Sequence, residues 1–474
     1  MLRFIDLAAN PGGLYLDEAA EALDAHRLLN VPGFHPLFFA DGGGREALFG
    51  YIVAVAFHAF GESTFVLHAT AAAIGVAGVF AIWLLARRYG NVAGLAGAGW
   101  AAGSLWLVSV SRDGMRNTLV PLFAALCFVS LLAWADRPHR RTALVAGAVT
   151  ALATLYTYQP LKLLPLLVLV WILWLRHTDR EYYARVRPTF GPFAVSFALV
   201  AAPMLLAALL DPASYFGRML GVLPVIGGQS VDLVDHWLRT IGMFAVTGDP
   251  NPRHDVNALP LLGWPLFIVA AVGVAALWRG RRNPADALIL ASLPIFLLPP
   301  LVATEGGAPH FLRALGLAAP VAVAVGVGVR EIVSYSGTRW GIGPARFVTG
   351  VLALALSVLA VASGNAYLSR PIADRYEAYR YDLVALAAAA DQRSVVILDA
   401  YSATVIRFLD AADLPTIVEP GAPIASAGRF DLVLALSRDD IERALGRDAA
   451  ASARAVAHDP LGRPTVFAAS GGIR

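Results

Sequence analysis

The run SVSRDGMRNTLVPLFAALCFVSLLAWADRPHRR, residues 109–141, decides the fold. Between Arg116 and Asp136 lie 19 residues without a charge, and about 18 or more apolar residues in a row read as a membrane span. The run ends on one side in a loop of mixed sign, SRDGMR, and on the other in a basic one, DRPHRR. Working outward, similar runs recur at roughly 64–86, 92–110, 142–158, 160–175, 190–210, 260–278, 286–303, 311–329 and 347–363. Together with 117–135 they predict about ten transmembrane helices. Composition agrees: the 474 residues are 58% hydrophobic and 15% charged, against roughly 25% charged in a soluble domain.

The charges orient the chain. If the first span ends inside at Arg87 and Arg88, loops 87–91, 136–141, 176–189, 279–285 and 330–346 are cytoplasmic and hold 15 basic residues in 49 positions. The opposite loops, 111–117, 158–162, 211–258 and 303–313, hold 7 in 71, which is the positive-inside asymmetry. Segment 1–63 then lies outside as a loop with interfacial helices. Its apolar stretch 47–57 is short for a span and suits an interfacial or re-entrant helix. Residues 64–363 form the transmembrane module. The tail 364–474 changes composition: short β-like runs at 394–399 and 431–436 alternate with helical stretches such as 438–445, predicting a small α/β domain outside the membrane. Met1–Gly13 lacks the basic start and apolar run of a signal peptide, so the external first segment points to a helix missing upstream of this start, in preference to tail-first export.

Several function classes fall away. A net charge of +3 is too small to suggest nucleic acid. There is no CxxC, HExxH or Walker-type loop, and the single cysteine, Cys127, permits no intrachain disulfide.

Charges near a bilayer are costly, so those that remain are informative. The outer loops gather Asp17 and Glu18, Arg45 and Glu46, Arg112, Asp113 and Arg116, the sole lysine Lys162, His254 and Asp255, and Glu305, His310 and Arg313. Carboxylates, cations and histidines on one face suit transfer of a phosphate-linked group. A departing phosphate needs cations to stabilise its charge; an acceptor hydroxyl needs a carboxylate base. One base and several cations favour single displacement with inversion over the paired carboxyls of retaining glycosidases. Each residue also has a plainer role. Asp17 and Glu18 could cap the helix LDEAAEALDAHRLL, Arg112 and Arg116 could anchor a hairpin at headgroups, and Lys162 and Arg313 could snorkel.

Taken in order, GLYLDEA, GREALF, ARRYG, SRDGMRN, LYTYQPLKLLPL, GDPNPRHDVNALP and APHFLRALG resemble the GT-C glycosyltransferases, in the branch of protein O-mannosyltransferase-like and aminoarabinose-transferase-like bacterial proteins. The resemblance spans roughly residues 10–330; after GRE, Ala47 stands where the family carries proline. It implies an acidic catalytic residue in the first outer loop, Asp17 or Glu18, assisted by Arg112 and Asp113. It also implies basic residues, Lys162 and Arg313 foremost, that hold the carrier phosphate, with Arg45, Arg116, His254 and His310 as further candidates for binding donor or sugar. The implied donor is a polyprenyl-phosphate sugar and the acceptor a protein, lipid or glycan. The resemblance implies no nucleotide and often no essential metal, and leaves a divalent cation open. The expectation is thus an all-α polytopic GT-C-like enzyme of the cell membrane, acting at its outer face. A lipid-linked sugar flippase or transporter, with charges at mid-bilayer, and a degenerate GT-C scaffold are the alternatives.

Overall fold

The computed structural model describes residues 2–221, 232–410, 413–422, 424 and 430–470. All ten apolar runs are helical. The principal helices are α1 (Leu16–Asn30), α2 (Leu48–Phe60), α3 (Thr64–Ala86), α4 (Asn91–Gly103), α5 (Leu105–Val110), α6 (Leu119–Asp136), α7 (Arg140–Tyr156), α8 (Leu164–Thr178), α9 (Phe190–Leu210), α10 (Leu233–Gly242), α11 (Gly263–Arg279), α12 (Pro284–Val302), α13 (Ala318–Trp340) and α14 (Ile342–Leu368). Among the described residues, seven helical segments, those containing α3, α6, α8, α9, α12, α13 and α14, are long and apolar enough to cross a membrane. The other three runs fall short of ten full spans for visible reasons. Run 92–110 is broken at Ser104, whose backbone is extended. The helices α7 and α11 have 17 residues each, about 25 Å, against a hydrocarbon core of about 30 Å.

The bundle is organised around α13, whose residues Ala318–Val329 are all buried. Its sequence AAPVAVAVGVGV supplies, Pro320 apart, only small and β-branched side chains, which lets backbones come close, as membrane helices require. A Cβ on Gly326 would sit 2.3 Å from the Ala93 carbonyl oxygen on α4, so only glycine fits there.

The loops that the charge count groups together meet at one end of the bundle. There Arg88 pairs with Asp136 at 2.5 Å, Arg330 donates to the Tyr89 carbonyl, and Arg279 faces Glu331. Segment 1–63, the loops after α5, α7 and α12, and the tail meet at the other. Stretch 222–231 of the 211–258 loop lies outside the described residues.

The tail carries α15 (Tyr381–Ala389), α16 (Ala403–Leu409) and α17 (Arg438–Leu445) around a five-stranded sheet. Its strands are β3 (Ser394–Ile397), β4 (Thr416–Val418), β5 (Leu432–Ala435), β6 (Arg454–His458) and β7 (Pro464–Ser470), following a two-residue pair, β1 (Phe38–Phe39) and β2 (Arg45–Glu46). The order is β4-β3-β5-β7-β6, with β3 parallel to β4 and β5, and β7 antiparallel to β5 and β6. Strand β3, SVVI, is buried throughout, which explains its unbroken apolar run. The domain docks on segment 1–63: Phe408 of α16 stacks on Phe57 of α2, and Leu383, Val405 and Ile406 share one core with Leu14, Ala22 and Val53.

Candidate active site

Helix α1 begins after Tyr15, with two acidic residues in its first turn, where the helix dipole favours them. The two have different fates. The Glu18 Oε2 accepts the Tyr15 amide at 2.9 Å. Its Oε1 accepts the Gly114 amide at 2.6 Å and faces His68 Nε2 at 3.0 Å. Burial raises the Glu18 pKa, but His68 and the two amides outweigh it and leave the group below its ordinary value. Glu18 therefore ties segment 1–63 to the loop 111–117, and it does so through glycine: a Cβ at Gly114 would stand 2.4 Å from Leu67. Asp17, about 100° round the helix, faces a cavity of about 620 Å³.

That cavity is the meeting place of Asp17, Lys162, His254, His310 and Arg313. The other candidates stand behind it. Arg112 donates to the Leu2 and Asn10 carbonyls at 2.7 and 2.6 Å and so fixes residues 2–10. Asp113 accepts from the Tyr379 hydroxyl at 3.1 Å. Burial and the nearby Glu18 carboxylate push it well above the usual carboxylate range, against the pull of Arg253. Arg116 spans Glu21 at 2.6 Å and Glu46 at 3.3 Å, and Arg45 pairs with Asp24 at 2.5 Å. Burial lifts Asp24 to about 6 in spite of that pair.

Lys162 joins the two layers. Its Nζ lies 3.1 Å from Glu46 Oε1, without a well-aligned hydrogen bond, and 4.7 Å from the Tyr215 ring centroid, while its side chain still reaches the cavity. The Arg313 Nη1 donates to the Ala303 carbonyl at 2.7 Å, at the end of α12, and its Nη2 lies 3.6 Å from Glu305.

The structure adds residues that the sequence reading passed over. Arg253, next to His254, lines the same cavity with its guanidinium 3.4 Å from the Tyr15 ring centroid. Its place within GDPNPRHDV was the available signal. Asp249 Oδ2 accepts from His254 Nδ1 at 2.8 Å and from the Phe311 amide at 2.7 Å. Asp249, His254 and His310 bring three ligand-type atoms within 4.8 Å of one another. Burial depresses both imidazoles, His310 strongly, and His310 Nδ1 is buried without a hydrogen-bond partner. Neutral imidazoles beside a carboxylate could hold a divalent cation. The residues come from two loops, with His310 56 positions after His254, so no local motif announces them. Tyr401 of the tail reaches Asp17, donating its hydroxyl proton to Oδ1.

Residues 47–207 match the family model described as dolichyl-phosphate-mannose-protein mannosyltransferase. No curated protein matches the sequence. Among solved structures, ArnT from Cupriavidus metallidurans in the apo state is similar at 13% identity and TM-score 0.63, over 98% of this chain and 95% of that one. The same protein bound to undecaprenyl phosphate is similar at 12% identity and TM-score 0.58, over 98% and 96%. The oligosaccharyltransferase AglB from Archaeoglobus fulgidus, in complex with an inhibitory peptide and a dolichol-phosphate, aligns at 13% identity and TM-score 0.54, over 92% of this chain and 68% of that one. Helical bundle, appended sheet domain and structural neighbours agree: this chain is a multi-pass membrane protein with the GT-C-like fold of these neighbours.

Proposed function

We propose that the protein is an inverting glycosyltransferase that moves a sugar from a polyprenyl-phosphate carrier to an acceptor at the extracytoplasmic face. The observation that carries this reading is one cavity holding the Asp17 carboxylate together with the cations Lys162, Arg253 and Arg313. A volume of about 620 Å³ lies within the roughly 300–1,000 Å³ of small-molecule sites. Its apolar lining from α12, Leu298, Pro299 and Val302, suits the first isoprene units. The positive-inside rule favours a cytoplasmic position for the basic loops, which supports an extracytoplasmic cavity.

In the reaction, Asp17 takes the proton of the acceptor hydroxyl as its oxygen attacks the anomeric carbon. The bond from that carbon to the phosphate oxygen breaks, and the carrier phosphate leaves with the electron pair. Lys162, Arg253 and Arg313 stabilise the charge that develops on it. The chemistry asks for no nucleotide. A divalent cation, if the protein uses one, has its place at Asp249, His254 and His310. The gathering of charges at one end of the bundle favours this reading over a transporter.

The test is transfer from a polyprenyl-phosphate sugar by purified protein. Asp17→Asn should lose at least ~10²-fold in kcat, the lower end of general-base contributions, and still bind the carrier. Lys162→Met should weaken donor use. Near-parental transfer by Asp17→Asn would remove Asp17 from the mechanism.

A further inference from the structure

The tail domain supplies a side chain to the site. Tyr401 lies 384 positions from Asp17 and donates its hydroxyl to Asp17 Oδ1. The contact is built, not incidental to a loose loop. Tyr401 leaves the carboxyl end of β3, and Asp399 Oδ1 accepts the amides of Tyr401 and Ser402 at 3.0 and 2.9 Å, fixing the turn into α16. Thr404 Oγ1 donates back to the Tyr401 carbonyl at 2.6 Å. Helix α16 packs directly on α1, and Phe408 on Phe57, so the carboxylate rides on one of two packed helices and the phenol on the turn that leads into the other. The chain leaves β3 toward β4 and leaves β5 toward β6, on opposite sides. In open α/β sheets, ligands approach the carboxyl ends of the strands where such connections diverge. Here Tyr401, in the turn that follows the carboxyl end of β3, is the residue that reaches Asp17.

We propose that Tyr401 is a positioning residue for Asp17, so that the extramembrane domain completes the transferase site. A carboxylate that must take a proton works best held in one rotamer. With Oδ1 held by the phenol, Oδ2 is the oxygen that takes the acceptor proton. The inference rests on the reading of Asp17 as the base.

The experiment is a cycle of Asp17→Asn, Tyr401→Phe and the double variant in the full-length protein, with kcat and donor KM measured for transfer. Tyr401→Phe should lower kcat about tenfold or more, the worth of a hydrogen bond to a charged group, with donor KM unchanged. In the Asp17→Asn background it should have no further effect, because its target is gone. Parental kcat in Tyr401→Phe with Asp17→Asn deficient would remove this inference alone, and so would losses that simply add. Parental kcat in Asp17→Asn would remove the proposed function. A thermal-midpoint cycle with Asp17→Ala and Tyr401→Phe reads the bond without activity. Coupled losses are expected, and additive ones count against it.

Discussion

Glu46→Gln tests the buried ionic layer behind the cavity. Glu21, Asp24 and Glu46 face Arg45, Arg116 and Lys162, with Glu46 Oε1 3.1 Å from Lys162 Nζ and Oε2 3.3 Å from Arg116 Nε. Three negative groups balance three positive ones. The substitution preserves shape but leaves one excess positive charge where Glu46 is about 1% exposed. Breaking a buried pair by removing one partner costs about 3–5 kcal/mol, because the other charge is left uncompensated. At about 2–4 °C per kcal/mol, the thermal midpoint in detergent should fall by roughly 6–20 °C. Lys162, released from Glu46, should at the same time bind a carrier phosphate more tightly, so that stability falls as donor affinity rises. The double variant Glu46→Gln/Lys162→Met restores the balance. It should be more stable than Glu46→Gln alone, a coupling of about 0.5–3 kcal/mol. The assay is thermal unfolding of all three variants beside the parent. A midpoint for Glu46→Gln within a degree of the parent, or a double variant less stable than the single, would refute the balanced-layer argument.

Two further outcomes follow from single buried groups. Burial raises Asp255 to about 8 from an ordinary 3.8, so the folded state holds its proton where the unfolded state has released it. The stability it contributes is therefore present in full below about pH 4 and is lost progressively up to about pH 8, above which both states are ionised; Asp255→Asn should flatten the fall of the midpoint between about pH 5 and 8, and a slope unchanged from the parent would contradict this. Gly326→Ala forces a Cβ to within 2.3 Å of the Ala93 carbonyl oxygen, and such overpacking costs about 1–3 kcal/mol. The variant should unfold several degrees below the parent, and a parental midpoint would show that α4 and α13 can part freely.

The membrane module was legible in the sequence because lipid leaves no choice: every backbone polar group must be paired within a helix, so apolar run and helix coincide. The 117–135 run is α6 almost residue for residue, and loop charge separated the two ends. Strand β3 and helix α17 were visible in the same way, through a buried apolar run and local helical pattern. The candidate site was only half legible. Residue type and loop membership brought Asp17, Lys162, His254, His310 and Arg313 to one end of the bundle. They could not say which charges line the cavity and which, like Glu18, Arg112 and Arg116, hold the loops together behind it. Asp17 and Glu18 are neighbours in sequence, and one helical step sends one into the cavity and the other into Gly114 and His68. Asp249 and Tyr401 depended on tertiary structure altogether, and Arg253 had only its place beside His254 to signal it. Their partners lie in distant loops, or in a domain whose docking is decided by side chains such as Phe57 and Phe408 meeting in three dimensions, and a linear pattern carries no record of such contacts.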